Sequence, residues 1–398
     1  MTPREGSAEV EPPRVMLVIE HLQCGGTERQ LHHLAVGMQS RGIAVEACCF
    51  RSLGPFGESL QGRGIPVHLV RKRYKVDPTF PWRLARLFRE RRSEVVHLFL
   101  FTACLWGGLA ARLARVPAVV ATDRSINHLE FRRRPVVVAL FRLATRFLHD
   151  RILGNSEHVS RYLERALKIA PGRVATVANG IDTDNMRPHR TRDEVRSELG
   201  IPQTTPVMLM VGRLVWQKNY PLLLGVARRL AADFPELVTV VAGDGPLLEE
   251  MIARARSLGV SERIRFLGAR DDVLDLMVAA DMVVLTSDVE GFPNTLLEAM
   301  WVGRPTVSTD AGGIGEVVVD GETGRVVAAG DERAFAAAVG ELLNDPARAE
   351  RMGELAHERV LGLYTAQRMT ESTLAQYAVA LCARGRAQRA RAFEVAHG

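Results

Sequence analysis

The strongest constraint on the fold is an alternation of short apolar runs with longer segments of helical periodicity. In the first half of the chain this pattern predicts strands at 15–19, 45–50, 66–70, 95–98, 118–121, 151–153 and 174–177. Between them it predicts helices at 28–40, 79–92, 103–114, 135–148 and 157–169. Continuous apolar strands that alternate with helices are typical of a parallel sheet covered on both faces.

The same alternation starts again after a polar segment. Strands are predicted at 207–211, 237–241, 264–267, 282–285 and 306–308, and helices at 220–232, 247–258, 273–280, 295–302 and from about 332 onward. We therefore predict an α/β protein with two Rossmann-like domains, which the length of 398 residues also favours. The predicted boundaries are 14–182 for the first domain, 183–200 for a linker, 201–363 for the second domain, and 364–398 for a C-terminal helix and a frayed basic tail.

Composition excludes several classes of protein. A hydrophobic fraction of 47% with 25% charged residues indicates a globular chain, and residues 1–14 are polar with three prolines, which predicts no signal peptide. The longest apolar stretch, 136–148, is interrupted by two arginines and is not expected to span a membrane. Five cysteines without a C-x-x-C pair argue against a disulfide framework or a zinc site, so we expect a cytoplasmic protein.

The turn between strand 282–285 and helix 295–302 carries the most informative polar residues. Glu290 lies in the loop and Glu298 lies about one turn into the helix, on the same face as Asn294, which we predict to be the N-cap. Helix N-termini bind phosphate, and carboxylates accept hydrogen bonds from sugar hydroxyls. The combination predicts a site for a nucleotide sugar, although a solvated acidic loop is the simpler alternative.

Two further turns follow the first predicted strand of each half. Gly25 and Gly26 open a helix, where adjacent glycines allow a ligand to approach the backbone, although Thr27 as a helix cap offers a purely structural explanation. Arg213 and Lys218 follow strand 207–211, and a pyrophosphate needs such cations beside N–H donors. A solvated surface pair is the alternative for these two cations.

Six motifs occur in an order that resembles the family-4 retaining glycosyltransferases. They are Gly25-Gly26-Thr27-Glu28, Asn155-Ser156, Asn179-Gly180-Ile181-Asp182, Gly212-Arg213 with Lys218, Gly243-Asp244-Gly245-Pro246, and the E-x7-E pair Glu290 and Glu298. The resemblance covers roughly residues 14 to 380. It implies the GT-B fold, in which two facing Rossmann-like domains enclose an interdomain cleft.

The resemblance also implies roles for individual residues. Arg213 and Lys218 contact the donor diphosphate, Glu298 the ribose and Glu290 the transferred sugar, so that Glu290, Arg213 and Lys218 are the expected catalytic residues. The expected donor site is completed by Gly25, Gly26, Gly291, Phe292, Asn294, Thr295 and Leu296. The first domain would bind the acceptor, the C-terminal helix would pack back across the first domain, and transfer would retain the anomeric configuration by front-face attack.

The expected reaction moves a hexose or N-acetylhexosamine from a nucleoside-diphosphate sugar to a polysaccharide, lipid-linked or other envelope acceptor. A UDP-sugar is slightly preferred over GDP-mannose. No cofactor or metal is expected, because Asp182-Thr183-Asp184 has the D-x-D spelling but lies in the predicted linker. A nucleotide-sugar 2-epimerase and a non-catalytic nucleotide-sugar-binding protein are the alternatives.

The chain departs from the family where many relatives carry histidine. Asp123 or Arg124 stands at one such strand end, and His97 is followed by Phe99 rather than by a second histidine. Asp123, Arg124 and His97 are therefore candidates to assist the acceptor, with a structural ion pair between Asp123 and Arg124 as the alternative.

The basic residues are concentrated in the first half. The net charge is +6, and residues 71–92 hold nine Lys or Arg against two acids, while 132–151 hold six Arg against one acid. With 6% aromatic residues and no nucleic-acid module, we expect no nucleic-acid partner. An anionic membrane surface is the favoured partner of the first domain, and solvated helix faces are the alternative.

Overall fold

The computed structural model describes residues 12–23, 25–74, 77–124 and 135–395. The chain forms two compact units, each with its own parallel sheet. The first unit contains the chain through Asn155, Ser160–Gly180 and the segment from Ala366, and the second contains Ser156–Val159 and Ile181–Thr365. The prediction of two parallel-sheet Rossmann-like units is confirmed.

The first unit is built on a seven-stranded sheet. Its strands are β1 (Arg14–His21), β2 (Ala44–Ser52), β3 (Val67–Leu69), β4 (Val95–Phe99), β5 (Ala118–Asp123), β6 (Arg151–Gly154) and β7 (Val174–Thr176), in the order β3-β2-β1-β4-β5-β6-β7. Its helices are α1 (Gly26–Gln39), α2 (Gly54–Gly62), α3 (Phe80–Glu90), α4 (Leu100–Ala114), α5 (Pro135–Leu148) and α6 (Glu157–Leu167). The central strand β1 is parallel to both neighbours, with Val15 opposite Val45 on one side and Val95 on the other.

The second unit is built on a six-stranded sheet. Its strands are β8 (Val207–Val211), β9 (Val238–Ala242), β10 (Ile264–Phe266), β11 (Met282–Leu285), β12 (Thr306–Thr309) and β13 (Arg325–Val327), in the order β10-β9-β8-β11-β12-β13. Its helices are α7 (Arg192–Glu198), α8 (Tyr220–Leu230), α9 (Leu248–Ser257), α10 (Val273–Ala279), α11 (Asn294–Trp301), α12 (Ile314–Val317), α13 (Glu332–Asn344) and α14 (Pro346–Leu363). Sequence periodicity did not predict α2, α7, α12 or β13.

The two final helices, α15 (Ala366–Cys382) and α16 (Ala387–Val395), complete the core of the first unit. Phe393 is 1% exposed, and its ring meets Tyr377 edge to face at 5.7 Å. Arg389 also pairs with Glu94 at 2.8 Å. The expectation of a frayed tail is therefore wrong, because the basic segment carries a buried aromatic residue that docks it.

The segment 183–200, which the sequence predicted as a linker, belongs to the second unit and contains α7. Thr191 and Glu194 form a capping box at the start of this helix. Arg196 is fully buried, and its guanidinium donates to the carbonyls of Ala279 at 2.8 Å and Thr205 at 2.7 Å and to Asp281 at 2.9 Å. A buried, fully bonded cation holds this segment against the sheet.

Among the described residues, no helix combines the length and apolar character that crossing a bilayer requires. Four described cysteines, Cys48, Cys49, Cys104 and Cys382, are free thiols. Burial raises the pKa of Cys49 to about 11, which keeps this thiol protonated and unreactive near neutral pH.

Candidate functional site

In the second unit, β9 and β10 extend the sheet on one side of β8, and β11, β12 and β13 extend it on the other side. The neighbouring strands β8 and β11 therefore form the topological switch point of this sheet. Loops that follow such a pair diverge at the carboxyl edge of the sheet and leave a crevice for ligands. The loop after β8 carries Arg213 and Lys218, and the loop after β11 carries Glu290. The topology thus brings these three predicted residues to one place.

The loop after β8 is held rigidly. Its 3-10 turn Trp216–Lys218 ends at Asn219, which adopts a left-handed conformation (φ 46°) and caps α8 by accepting from the N–H of Leu222. The Asn219 amide also donates to Asp288 at 2.9 Å, and the backbone N–H of Asp288 donates to the carbonyl of Gln217 at 2.8 Å. These bonds join the two site loops directly.

Lys218 and Glu290 form an ion pair at the centre of the site. Lys218 Nζ lies 2.5 Å from Glu290 Oε1, and the two side chains are only 19% and 11% exposed. Ser287 Oγ donates to the same carboxylate oxygen at 2.6 Å. The carboxylate is therefore fixed through Oε1, which leaves Oε2 for a further hydrogen bond.

Arg213 differs from Lys218 in its surroundings. Its side chain is exposed, and it makes no hydrogen bond or ion pair with any residue that the structure describes. The adjacent Gly212 is held from both sides, since its N–H donates to Ala242 O at 3.0 Å and its carbonyl accepts from Tyr220 at 2.8 Å. The guanidinium therefore projects from a fixed backbone and keeps all its donors for a ligand.

Helix α11 begins at Asn294 with Pro293 as its N-cap residue, and no side chain caps it. The prediction that Asn294 is the N-cap is wrong, because Pro293 already occupies the extended position before the first helical residue. The N–H groups of Thr295 and Leu296 lie in the first turn and have no intrahelical acceptor. Glu298 is 5% exposed, in the second turn of the helix.

The remaining predicted donor residues frame this helix. Gly291 precedes Phe292, which is 6% exposed and meets the ring of Tyr364 edge to face at 5.4 Å. Thr295 Oγ1 lies 3.5 Å from the carbonyl of Val211, the last residue of β8. The start of α11 is thus close to the end of β8.

In the first unit, the glycine-rich turn follows β1 and opens α1. Gly25 is the N-cap, Gly26 is the first helical residue, and Thr27 lies within the first turn, so Thr27 does not cap the helix. A side chain at Gly25 would overlap the carboxylate of Glu28, which is 6% exposed. A larger residue at this position would therefore require the Glu28 side chain to move.

The three residues considered for acceptor assistance lie on β4 and at the end of β5. His97 is 1% exposed, and its ring nitrogens bond to the hydroxyls of Tyr377 and Thr122, so it faces the interior. Burial lowers the pKa of His97 well below its usual range, and Arg124 lowers it further. His97 can therefore orient neighbouring groups as a neutral ring.

Arg124 occupies a semi-buried position at the end of β5. Its guanidinium donates to Asn179 at 2.6 Å and lies over the ring of Phe99 at 5.7 Å. Burial lowers the pKa of Arg124 to about 10, and Glu28 opposes this shift. The neighbouring Asp123 is 5% exposed. Arg124 remains cationic near neutral pH and is suited to an anionic group of a ligand.

Some sequence features fall elsewhere. Cys24 and residues 132–134 of the basic segment lie outside the described residues. Within the described residues, no group of three His, Cys, Asp or Glu side chains is arranged to hold a metal ion. Asp182 of the D-x-D sequence instead accepts from the backbone and the amide of Asn185 at 3.2 and 3.0 Å.

Sequence reasoning missed Ser287, Asn219 and Tyr377. Ser287 and Asn219 act through the side chains that they orient, Glu290 and Asp288, and their types are common in loops. Tyr377 is 280 residues away from His97 along the chain, and local periodicity carries no information on such a contact.

Comparison with protein families identifies two matching models. Residues 24–185 match the model described as Glycosyltransferase Family 4, and residues 191–359 match the model described as glycosyl transferases group 1. A curated relative, D-inositol 3-phosphate glycosyltransferase 2 of Catenulispora acidiphila, is 36% identical over 220 residues, which are 52% of this chain and 51% of the relative. The lipopolysaccharide core biosynthesis glycosyltransferase LpsE of Rhizobium meliloti is 33% identical over 179 residues, 45% of this chain and 52% of the relative.

The chain thus spans about half the length of these curated relatives. Among solved structures, Anabaena HepE in complex with UDP and glucose superposes with a TM-score of 0.81 and 20% identity, over 91% of this chain and 98% of that chain. This similarity confirms the GT-B fold class.

Proposed function

This chain belongs to glycosyltransferase family 4, and on that premise we propose that it is a retaining hexosyltransferase that uses a nucleoside-diphosphate sugar. The observation that carries the proposal is the meeting of Arg213, the Lys218–Glu290 pair and the start of α11 at the β8–β11 switch point. Cations, N–H donors and carboxylates are the groups that a diphosphate linked to sugars requires.

The charge that develops during transfer lies on the leaving diphosphate. An ammonium has three N–H donors, so Lys218 can serve Glu290 and two phosphate oxygens at once. Arg213 adds a bidentate fork. Because negative charge on the diphosphate grows as the glycosidic bond breaks, these cations stabilise the transition state more than the bound substrate.

The carboxylates of Glu290 and Glu298 bind hydroxyl groups of the two sugars of the donor. Glu290 Oε2 accepts from a hydroxyl of the transferred sugar, while Lys218 and Ser287 fix Oε1. Glu298 accepts from the ribose hydroxyls, and the N–H groups of Thr295 and Leu296 donate to phosphate. Attack occurs on the face that the diphosphate leaves, and a phosphate oxygen takes the proton of the acceptor. A trapped glycosyl-enzyme would contradict this front-face route.

The proposed donor is a UDP-sugar, with GDP-mannose as the second choice. The structural neighbour HepE was crystallised with UDP and glucose, which supports this order without determining the donor of this chain. The proposed acceptor is a polysaccharide, lipid-linked or other envelope glycan, and the name of the relative LpsE supports that class. Gly25, Gly26, Asp123 and Arg124 are the proposed contacts of the first unit.

The transfer is proposed to need no metal, because two cationic side chains already offset the diphosphate charge. Activity that survives exhaustive EDTA treatment would support this, and activity restored only by a divalent cation would contradict it. The direct test compares activity with each donor in the presence and in the absence of magnesium.

We also propose that the first unit rests on an anionic membrane surface. Tyr74 and Trp82 are 72% and 61% exposed, and the exposed Arg71 and Arg73 precede Tyr74. Aromatic rings favour the headgroup layer, and arginines favour anionic lipid. Sedimentation with anionic liposomes at low salt, lost in Trp82→Ser but not in Val379→Ser, is expected. Equal sedimentation of both variants, or none of the parent, would contradict the proposal.

The decisive experiment measures nucleoside-diphosphate release from UDP-, GDP- and ADP-sugars. Release from one donor, lost in Glu290→Ala and in Arg213→Ala but kept in Glu250→Ala, is the expected result. Glu250 is an exposed glutamate of α9 and controls for loss of a surface charge. An epimerised donor without acceptor would indicate an epimerase, and donor binding without turnover in the presence of an acceptor library would indicate a binding protein.

A further inference from the structure

A large concavity lies in the second unit, away from the donor site. It has a volume of about 1200 Å³. Pro206, Met282 and Pro305 line it, and these residues stand at the starts of β8, β11 and β12. The concavity is therefore at the amino edge of the sheet, whereas Arg213 and Glu290 follow the carboxyl ends of the strands. We call it the amino-edge groove.

One wall of the amino-edge groove is acidic. Glu350, Glu354 and Glu358 of α14 line it at intervals of four residues, so they form a row on one helix face with steps of about 6 Å. All three are exposed, and none forms a hydrogen bond or ion pair with a residue in the described ranges. Three unpaired carboxylates in a row attract a cationic partner.

Away from this wall, apolar and polar side chains both line the groove. Val302, Leu342 and Leu343 contribute side chains to its surface, together with the prolines at the strand starts. Two arginines, Arg187 and Arg304, also line it, and Arg304 donates to the carbonyl of Val278 at 2.9 Å. An apolar floor beside a row of carboxylates matches a helix that presents both apolar and basic side chains.

The chain itself has such a helical face on α5. Leu143 and Phe147 are 57% and 61% exposed although both are large apolar residues. Arg142 and Arg146 are also exposed and stand four residues apart, as successive glutamates of the acidic wall do. Arg142 donates from Nε and Nη2 to the carbonyl of Ala166 at 2.9 and 2.6 Å, so its Nη1 is the nitrogen that remains for a carboxylate. Arg146 lies over the ring of Phe147 at 5.7 Å and has no carboxylate partner among the described residues.

We propose that the amino-edge groove binds helix α5 of a second copy of this chain. Leu143 and Phe147 pack on the apolar floor, and Arg142 and Arg146 pair with successive glutamates of α14. The net charge of +6 makes copies repel one another in general, so the local acidic row is what permits contact. The contact joins different surfaces of two copies, which gives a ring or a chain of subunits unless two copies exchange helices reciprocally.

Light scattering over a wide range of protein concentration tests the proposal. The parent chain is expected to gain mass with concentration, and Arg146→Glu and Glu354→Arg are each expected to weaken association at least about fivefold. The double variant restores the charge pair in the opposite sense and is expected to recover most of the lost association.

Two matched controls keep the test specific. Glu250→Arg reverses an exposed glutamate on α9, and Leu109→Ser removes an exposed apolar residue on α4; neither is expected to change the mass. Phe147→Ser is expected to abolish association. The proposal would be overturned if the parent chain remained monomeric at all concentrations. It would also be overturned if the double variant associated no more strongly than the two single variants. Unchanged donor release in every variant would show that the variants are folded.

Discussion

The contact between Lys218 and Glu290 makes their contributions to catalysis interdependent. Their side chains meet at 2.5 Å and are mostly buried, so removal of either one leaves the other without its partner. We expect Lys218→Met to slow donor turnover about 100-fold, because a cation that offsets the charge of the diphosphate is lost. Glu290→Gln is expected to cost a similar factor, through the sugar contact and the loss of the charge that holds Lys218.

The double variant should then lose less than the product of the two factors. Contacting charged residues have coupling free energies of about 0.5–3 kcal/mol, so we expect the double variant to be about tenfold more active than additivity requires. The cycle compares the parent, the two single variants and the double variant. For each protein, the initial rate of nucleoside-diphosphate release is measured with saturating and with limiting donor. Arg213→Ala combined with Glu290→Gln provides the control, since Arg213 shares no bond with Glu290.

Additive effects of Lys218→Met and Glu290→Gln, within about 0.5 kcal/mol, would refute the reasoning. They would mean that the ion pair is absent in the complex that turns over. Equal coupling in the Arg213 cycle would also contradict it, because the coupling would then arise from the shared substrate and not from the contact between the two side chains.

Three stability predictions follow from buried groups outside the donor site. Arg196→Met should lower the free energy of unfolding by about 1–3 kcal/mol, because the buried carbonyls of Ala279 and Thr205 lose their donor, whereas Asp281 keeps its contacts with Arg192 and with the N–H of Val207. Urea denaturation measures this loss, and a loss below about 0.5 kcal/mol would contradict the prediction. Burial lowers the pKa of His149 to about 4 from 6.5, so its contribution is complete above pH 6.5 and is lost as the pH falls. Between pH 6.5 and 5 the free energy of unfolding should fall by about 2 kcal/mol, and thermal melts over this pH range measure the fall. His149→Gln should make stability less dependent on pH; the same pH dependence in the variant and the parent would contradict the prediction. Phe393→Ala should lower the free energy of unfolding by about 3–5 kcal/mol, because it leaves a cavity beside the ring of Tyr377. A variant as stable as the parent would show that α16 does not stay packed on the first unit.

Periodicity predicted the elements that bury a continuous face. Strands such as β8 and β11 are fully buried, so their apolar runs are visible in sequence with no reference to partners. Helix α2 has two glycines and a proline in its first four residues, and α7 consists of Val195 and six polar or charged residues. The composition of α2 gives no local sign of a helix, and the only local sign of α7 is its capping box, Thr191 and Glu194, since α7 has no apolar face of helical period.

The candidate site divides in the same way. Glu290, Glu298, Arg213 and Lys218 were identifiable because chemistry and position in a strand–loop–helix unit suffice to single them out. That Lys218 pairs with Glu290, that Pro293 rather than Asn294 precedes α11, and that His97 faces inward depend on three-dimensional packing. Their assigned roles in donor binding remain predictions.

The loop after β9 limits how the loop after β8 can change. A side chain at Gly243 would overlap the carbonyl oxygen of Gly212, and Leu214 exchanges hydrogen bonds with this loop through Asp244 and Leu247. For protein engineering, the smallest transplantable module is therefore the pair of loops. A graft of residues 212–219 from a relative with another donor preference should fold only if residues 243–247 come from the same source.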